Sequence, residues 1–284
     1  MRPLGRRAGA GSEPGGWRHA PAAVGAVLFV VPLVLMVTGS LRDTDLPPPR
    51  GPELLPSPLA FENYGLAFDL VDMPRYVANS MIVAALAVPL TVLVASWAGF
   101  AISRLPRRAA VTIVALSLVA LMVPVTALLV SRFAMFRTLR LTDTFVPLVA
   151  PALIGTSPFY VLLFAWGYRR LPAELFEASR IEGLSPLDTW RRVALPLTRP
   201  VTVAVAVLAF VVTWSDFLGP LIYLFDERRF TVPLGLRSLA ALDRQDVPLL
   251  LAGAVVATAP VVVAFLAAER YFLRDRRGRG WLGL

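Results

Sequence analysis

This chain of 284 residues contains no cysteine, no lysine and a single histidine. Without cysteine there is no disulfide, no thiol nucleophile and no thiolate metal site. Without lysine there is no phosphate loop of the kind whose lysine reaches the β- and γ-phosphates. The lone His19 lies in a polar N-terminal stretch, with no evident partner for a metal triad or a Ser-His-Asp arrangement. These gaps exclude most self-contained catalysis. The chain is not read as an enzyme, and no metal or cofactor is expected to bind to it. All 28 basic residues are arginines, and the net charge is +9. They fall between apolar runs and do not pool among aromatics, which argues against nucleic acid and for a lipid bilayer.

What the chain has in abundance is hydrophobicity, at 57% apolar residues. A hydrocarbon core of about 30 Å takes about 20 helical residues to cross. Six segments meet that length: 21–40, 76–103, 109–131, 144–168, 201–225 and 247–272. Pro32, Pro89, Pro124, Pro151, Pro158 and Pro260 fall inside them. Interior prolines are poorly tolerated in soluble helices but accepted in membrane spans, where neighbours satisfy the freed carbonyls. The pattern predicts an all-α polytopic membrane protein with six transmembrane helices, the fourth of them kinked. The first 20 residues are too long and glycine-rich for a cleaved leader, and the run after them is long enough to span.

Orientation follows from the arginines. The odd side of the six spans carries 18 of them and the even side 10, so both termini are expected in the cytoplasm. That divides the chain into a cytoplasmic tail (1–20), a first span (21–40), an external loop (41–75), a five-helix core (76–272) and an arginine-rich cytoplasmic tail (273–284). The external loop is crowded with Pro47, Pro48, Pro49, Pro52, Pro56, Pro58 and acids, and reads as extended chain without a helical core.

The most informative segment is the polar one, 170–200. Pro172 suits a first helical turn, and Glu174 and Glu177 lie where the positive helix start favours acids. Gly183 can adopt the left-handed conformation that stops a helix. Ser185-Pro186-Leu187-Asp188 then supplies a cap hydroxyl, a first-turn proline and an acid three residues past the cap. The second helix is expected to present Leu187, Trp190, Val193 and Ala194 on one face, and to end at Leu195-Pro196. Two readings stay open on these grounds: a helix pair lying on the lipid surface, or a knob seated in a cytoplasmic partner.

The run Glu177-Ala178-Ser179, Gly183, Val193, Leu195 and Pro196 resembles the EAA loop of ATP-binding-cassette importer permeases. It departs from the pattern at Ser179, Glu182 and Val193, all mild changes. Phe61-Glu62-Asn63-Tyr64, Asn79-Ser80, Trp214-Ser215-Asp216-Phe217, Pro220-Leu221, Thr231-Val232-Pro233-Leu234-Gly235 and Tyr271-Phe272 are similar to segments of the maltose-transporter-type carbohydrate permeases. The short first external loop resembles the smaller of the two paired permeases. The resemblance implies the type I ABC importer permease fold in the inner (cytoplasmic) membrane. It also implies a second permease subunit, two cytoplasmic ATPase subunits and an extracytoplasmic solute-binding protein. The residues it implies for ATPase coupling are Glu177, Ala178, Ser179, Glu182, Gly183, Trp190, Leu195 and Pro196.

Asp216 is the one ionisable side chain deep in an expected span, and intramembrane acids face a cavity or a partner. It is read either as a translocation-path residue, with Trp214 as a stacking surface for sugar, or as a structural acid bonded to its neighbours. Asn79, Thr156 and Tyr160 are further path candidates. Together with Ser80, Thr91, Ser96 and Ser157 they also suit hydrogen bonds between helices. Three other functions fit less well: a permease for glycerol phosphate or another polar solute, a membrane scaffold docking a cytosolic partner, and a channel or proton-coupled carrier. A carrier needs several intramembrane ionisable residues, and one aspartate is poor equipment for a relay.

Overall fold

The computed structural model describes residues 16–44, 46, 51, 55–242 and 246–274. Most of the two expected tails lies outside them. Among the described residues there are helices and no strands. In chain order the helices are α1 (Gly16–Ser40), α2 (Glu62–Leu70), α3 (Met73–Ser103), α4 (Arg107–Leu121), α5 (Leu129–Thr138), α6 (Val146–Val149) and α7 (Pro158–Arg169). They continue with α8 (Ala173–Ile181), α9 (Pro186–Asp188), α10 (Leu195–Leu197), α11 (Arg199–Trp214), α12 (Leu218–Tyr223), α13 (Val232–Leu242) and α14 (Val247–Arg274). Four stretches are long and apolar enough to cross a membrane: Ala23–Ser40, Met73–Ser103, Val146–Arg169 and Val247–Glu269. Two bent pairs make up to six, Arg107–Leu121 with Thr126–Thr138 at 75° and Pro186–Leu197 with Arg199–Trp214 at 84°.

The central element is α3, against which α7, α11 and α13 all pack. Its 31 residues reach ~46 Å at 1.5 Å each, longer than the hydrocarbon core, so both ends emerge from it. One hydrophobic cluster surrounds the C-terminal half, with Ala95, Phe100, Phe164, Tyr168, Phe176, Trp190 and Val205. A second surrounds the N-terminal end, with Ala67, Met73, Tyr76, Trp214, Val232 and Leu239. The opposite face of the bundle is apolar and open, as on α1 and α4, where Phe29, Leu116 and Val119 are exposed. That is the surface a bilayer or a partner helix covers.

The prolines are of two kinds. Pro32, Pro89 and Pro260 sit inside continuous helices. Pro124, Pro151 and Pro158 mark breaks, each preceding or opening a helical turn, where a missing N–H costs nothing. The expected third span, 109–131, is therefore interrupted at Met122–Pro124. The expected fourth is interrupted at Gly155 and Thr156, both in the left-handed region (φ +74° and +59°). The expected fifth, 201–225, is also divided: α11 stops at Trp214 and α12 starts at Leu218.

Extended chain accounts for only part of segment 41–75, the one expected to be external. Glu62–Leu70 is helical and packs on α14. Buried Asn63 donates to the carbonyls of Ser40 (2.9 Å) and Arg42 (2.7 Å), and Tyr64 Oη shares a hydrogen bond with Ser40 Oγ (2.7 Å). These bonds close the end of α1 and fix where α2 sits.

The approach of α3 to α7 depends on Gly99. A Cβ there would lie 2.6 Å from Phe164 Cβ and 2.8 Å from both Ala165 N and Val161 O. Backbone cannot yield cheaply, so Gly99→Ala should cost about 1–3 kcal/mol and lower the thermal unfolding temperature in detergent. Gly65, inside α2, has nothing within 4 Å of the same position. Gly65→Ala should instead raise that temperature slightly, by the ~0.5–1 kcal/mol that alanine gains over glycine in a helix.

Candidate functional site: the 170–200 segment and the polar residues of the spans

The polar segment folds as its local chemistry directs. α8 ends in a paired-bond cap, with Leu184 N–H donating to Ser179 O and Gly183 N–H to Arg180 O, each at 3.0 Å. Gly183 takes φ +73° in open space, and a Cβ added to it would meet nothing within 4 Å. The need for glycine there is backbone conformation, not crowding. Ser185 Oγ accepts from Asp188 N–H (3.1 Å) and donates to the Asp188 carboxylate (2.6 Å), while Arg192 pairs with that carboxylate at 3.3 Å. Thr189–Ala194 then widens into a π turn, in which Leu195 N–H reaches Trp190 O. Pro196 follows directly; it has no N–H, and its ring crowds the carbonyl four residues back.

The coupling candidates divide into an anchor and a tip. Trp190 is buried, and its Nε1–H donates to Ser96 Oγ (2.8 Å), which also shares a hydrogen bond with Tyr168 Oη (2.7 Å). Phe176 is buried against Phe100, with Arg104 stacked over its ring at 4.0 Å. Ser179 is buried, its hydroxyl donating to Leu175 O (2.7 Å), and Leu195 and Pro196 are half-buried. Glu177, Ala178, Glu182 and Gly183 are exposed, and Ile181 (88% exposed) and Leu187 (53%) stand out beside them. The expected apolar face of the second helix is thus divided: Trp190 and Ala194 point inward and Leu187 outward. Tyr168 and Phe176 belong to no local sequence pattern; they take their place through contacts with α3.

The path candidates do not converge on one point. Asn79 Nδ2 donates to the carbonyls of Arg228 and Phe230, both at 2.9 Å. Trp214 is buried, stacks on Phe210 and donates to Ala257 O at 2.8 Å. Both belong to the packing around the N-terminal end of α3. Thr156 Oγ1 shares a hydrogen bond with Thr91 Oγ1 at 2.5 Å, and Tyr160 is buried in the other cluster. Spans two and four are joined by two such hydroxyl pairs, Thr91–Thr156 and Ser96–Tyr168, as their polar content suggested. Asp216 lies in the gap between α11 and α12, half-buried, and accepts from Gly219 N–H at 3.1 Å.

Asp143 carries a role that no sequence pattern signals. Its backbone is left-handed (φ +56°) and its N–H donates to Tyr223 O at 2.7 Å. Its carboxylate accepts from the N–H groups of Phe225 and Asp226, both 3.1 Å, and meets Arg229 at 3.9 Å. Partial burial works against the charge, but those two donors and the guanidinium hold the carboxyl below the ordinary aspartate range. The result is a tie between the loop before α6 and the loop after α12.

Two outcomes follow from these contacts. Ser96→Ala removes the acceptor of a buried indole N–H, and should cost about 1–3 kcal/mol, with faster hydrogen exchange across 186–198. In the double variant with Trp190→Phe the losses should add to less than their sum, because one bond is shared. For Asp143, a lowered native pKa means that the stability advantage over Asp143→Asn is complete above about pH 4. It should vanish as pH falls through the native value, as followed by thermal unfolding across acidic buffers.

Comparison with known proteins agrees with this architecture. The arabinooligosaccharides transport system permease protein AraQ of Halalkalibacterium halodurans is 30% identical over 87% of this chain and 89% of its own. The lactose transport system permease protein LacG of Rhizobium radiobacter is 27% identical over 92% of this chain and 94% of its own. The fold is similar to that of a chain in the crystal structure of a bacterial ABC transporter involved in alginate import, with TM-score 0.72 at 19% identity over 91% of this chain and 96% of that one. Residues 75–277 match the binding-protein-dependent transport system inner membrane component family. With the match running from α3 to beyond α14, the chain is a multi-pass membrane protein belonging to that family of transport permeases.

Proposed function

We propose that this chain is the transmembrane subunit of an ABC importer, forming half of the translocation path for a sugar or oligosaccharide. The observation that carries the proposal is the form of segment 170–200, a capped helix pair anchored on α3 and α7 with an exposed tip. Glu177, Ile181, Glu182 and Leu187 offer that tip two carboxylates and two large apolar side chains. A rigid element of this kind can transmit the movement of a partner to the spans. The partner is a cytoplasmic ATPase, since this chain has no phosphate-binding lysine of its own. Chemistry therefore takes place elsewhere, and this subunit is a conduit and not an enzyme.

The sugar class is supported by the relatives, whose names specify arabinooligosaccharides and lactose. An extracytoplasmic solute-binding protein, a second permease and a pair of ATPase subunits complete the assembly. A chain of similar fold, at TM-score 0.62, belongs to an alginate ABC transporter crystallised in complex with an alginate pentasaccharide-bound periplasmic protein. In this reading six spans cross the inner membrane, the third and the fifth of them broken helices and the fifth beginning with α11, and both termini lie in the cytoplasm with segment 170–200.

Each role has its consequence. Glu177→Lys reverses the charge of the exposed tip without touching the anchor. Gly183→Pro forces φ near −65° where the chain needs +73°. Both variants should insert at wild-type levels, yet sugar uptake by the reconstituted importer should fall about tenfold or more while ATP hydrolysis loses its dependence on the loaded binding protein. Normal uptake by both variants would remove the loop from the coupling path. A reporter fused beside Trp190 that registers outside the cell would reverse the orientation.

A further inference from the structure

The C-terminal end of α3 carries a cluster that the coupling role leaves unexplained. Arg104 caps the helix, and its guanidinium lies 4.0 Å from the centroid of the Phe176 ring. Arg180 stands one helical turn beyond Phe176 on α8, on the side of the helix that Arg104 approaches through that ring. Among the described residues neither arginine forms an ion pair, although Arg192 and Asp188 a few residues away do so. Burial and the nearness of Arg180 both lower the pKa of Arg104. Two like charges held together without a carboxylate call for an anion.

The height of the cluster identifies that anion. Arg104 follows directly on the apolar stretch Met73–Ser103, the depth at which a span leaves hydrocarbon. Two turns back on the same stripe of α3, Trp97 is 56% exposed, with its ring 6.4 Å from that of Trp190. Leu105 is exposed beside Arg104. An exposed indole two turns inside a cation is the pattern of a membrane boundary, where aromatic rings sit at headgroup level and guanidiniums reach phosphates. At the neighbouring end of α7, Arg170 stacks over Trp166 at 4.0 Å in the same sense.

We propose that Arg104 and Arg180 clamp the phosphate of an anionic phospholipid whose acyl chains run along Trp97. Arg104 belongs to the end of a span and Arg180 to the helix that carries Glu177. The lipid therefore bridges the bundle and the 170–200 segment and relieves the repulsion between the two cations. This goes beyond the transport proposal and stands on the chain's own membrane residence. Its readout is lipid binding and not transport, so its failure would leave the transport reading untouched.

The experiment is native mass spectrometry of the full chain in mild detergent, titrated with phosphatidylglycerol and with phosphatidylcholine. Wild type should retain one phosphatidylglycerol in preference to phosphatidylcholine. Arg104→Gln/Arg180→Gln should weaken that binding about thirtyfold, from roughly a factor of five per surface arginine. The neighbouring pair Arg107→Gln/Arg108→Gln, outside the clamp, should leave it within about twofold. Should the double glutamine variant misfold, Arg104→Lys/Arg180→Lys keeps both charges and should retain most of the selectivity. Hydrogen exchange in α8 should slow when phosphatidylglycerol is added to wild type and not to the glutamine variant. Equal binding by wild type and a folded glutamine variant would overturn the proposal. So would full displacement of the lipid by inorganic phosphate, which would make this a site for free anions. Stoichiometric displacement by an added ATPase subunit would assign the clamp to a protein carboxylate and overturn it as well.

Discussion

One hydroxyl group joins the elements on which this architecture turns. Ser96 is fully buried on α3, shares a hydrogen bond with Tyr168 on α7 and accepts from the indole of Trp190 in the polar segment. In a protein surrounded by lipid, burial of apolar area gives little preference for one helix contact over another. Specific polar bonds and close backbone approach must select the partner. Gly99, one turn further along α3, provides the close approach, and Ser96 provides the bond. With the Thr91–Thr156 pair two turns before Gly99, they set both the separation and the register of α3 on α7.

That register determines what the polar segment can do. Helices as short as α8, α9 and α10 are marginal by themselves, so their rigidity has to come from caps and anchors. The bonds at Gly183 and Ser185 close the two facing helix ends, and Phe176 and Trp190 fasten each helix to the end of α3. A push applied at the exposed tip near Glu177 is therefore not absorbed by local bending. It passes into α3 and α7 through buried aromatic contacts. The 84° turn between the Pro186–Leu197 segment and α11 adds a second output, since Thr198 joins the two at a buried position.

The sequence displayed these features unequally. Gly183 and the Ser185–Asp188 cap were readable because their bonding partners lie within five residues, where spacing alone dictates geometry. The inward turn of Trp190 was not, since its partner Ser96 is 94 residues away; the same side chain suits a lipid-facing stripe equally well. The short α2 was hidden by its neighbours. Pro47 to Pro58 give the whole of 41–75 an extended character, while the helix depends on Asn63 reaching back to the end of α1. Asp143 carried no motif, because its donors Phe225 and Asp226 come from the far half of the chain.

The break at Asp216 shows how averaged hydrophobicity misleads. From 201 to 225 apolar residues run almost without relief, so any window sees one span. A carboxylate within such a run must have its charge satisfied, and here the backbone supplies the means. α11 ends at Trp214, α12 begins at Leu218, and the aspartate accepts the Gly219 N–H that the start of α12 leaves over. The residue that stood out as transport chemistry is thereby engaged in closing a helix. Proton relays require carboxylates that exchange partners freely, and the one acid deep in these spans is committed to its own backbone. In the proposed importer, energy for movement then enters from outside the bilayer, and the anchored segment with its exposed tip is the element proposed to receive it.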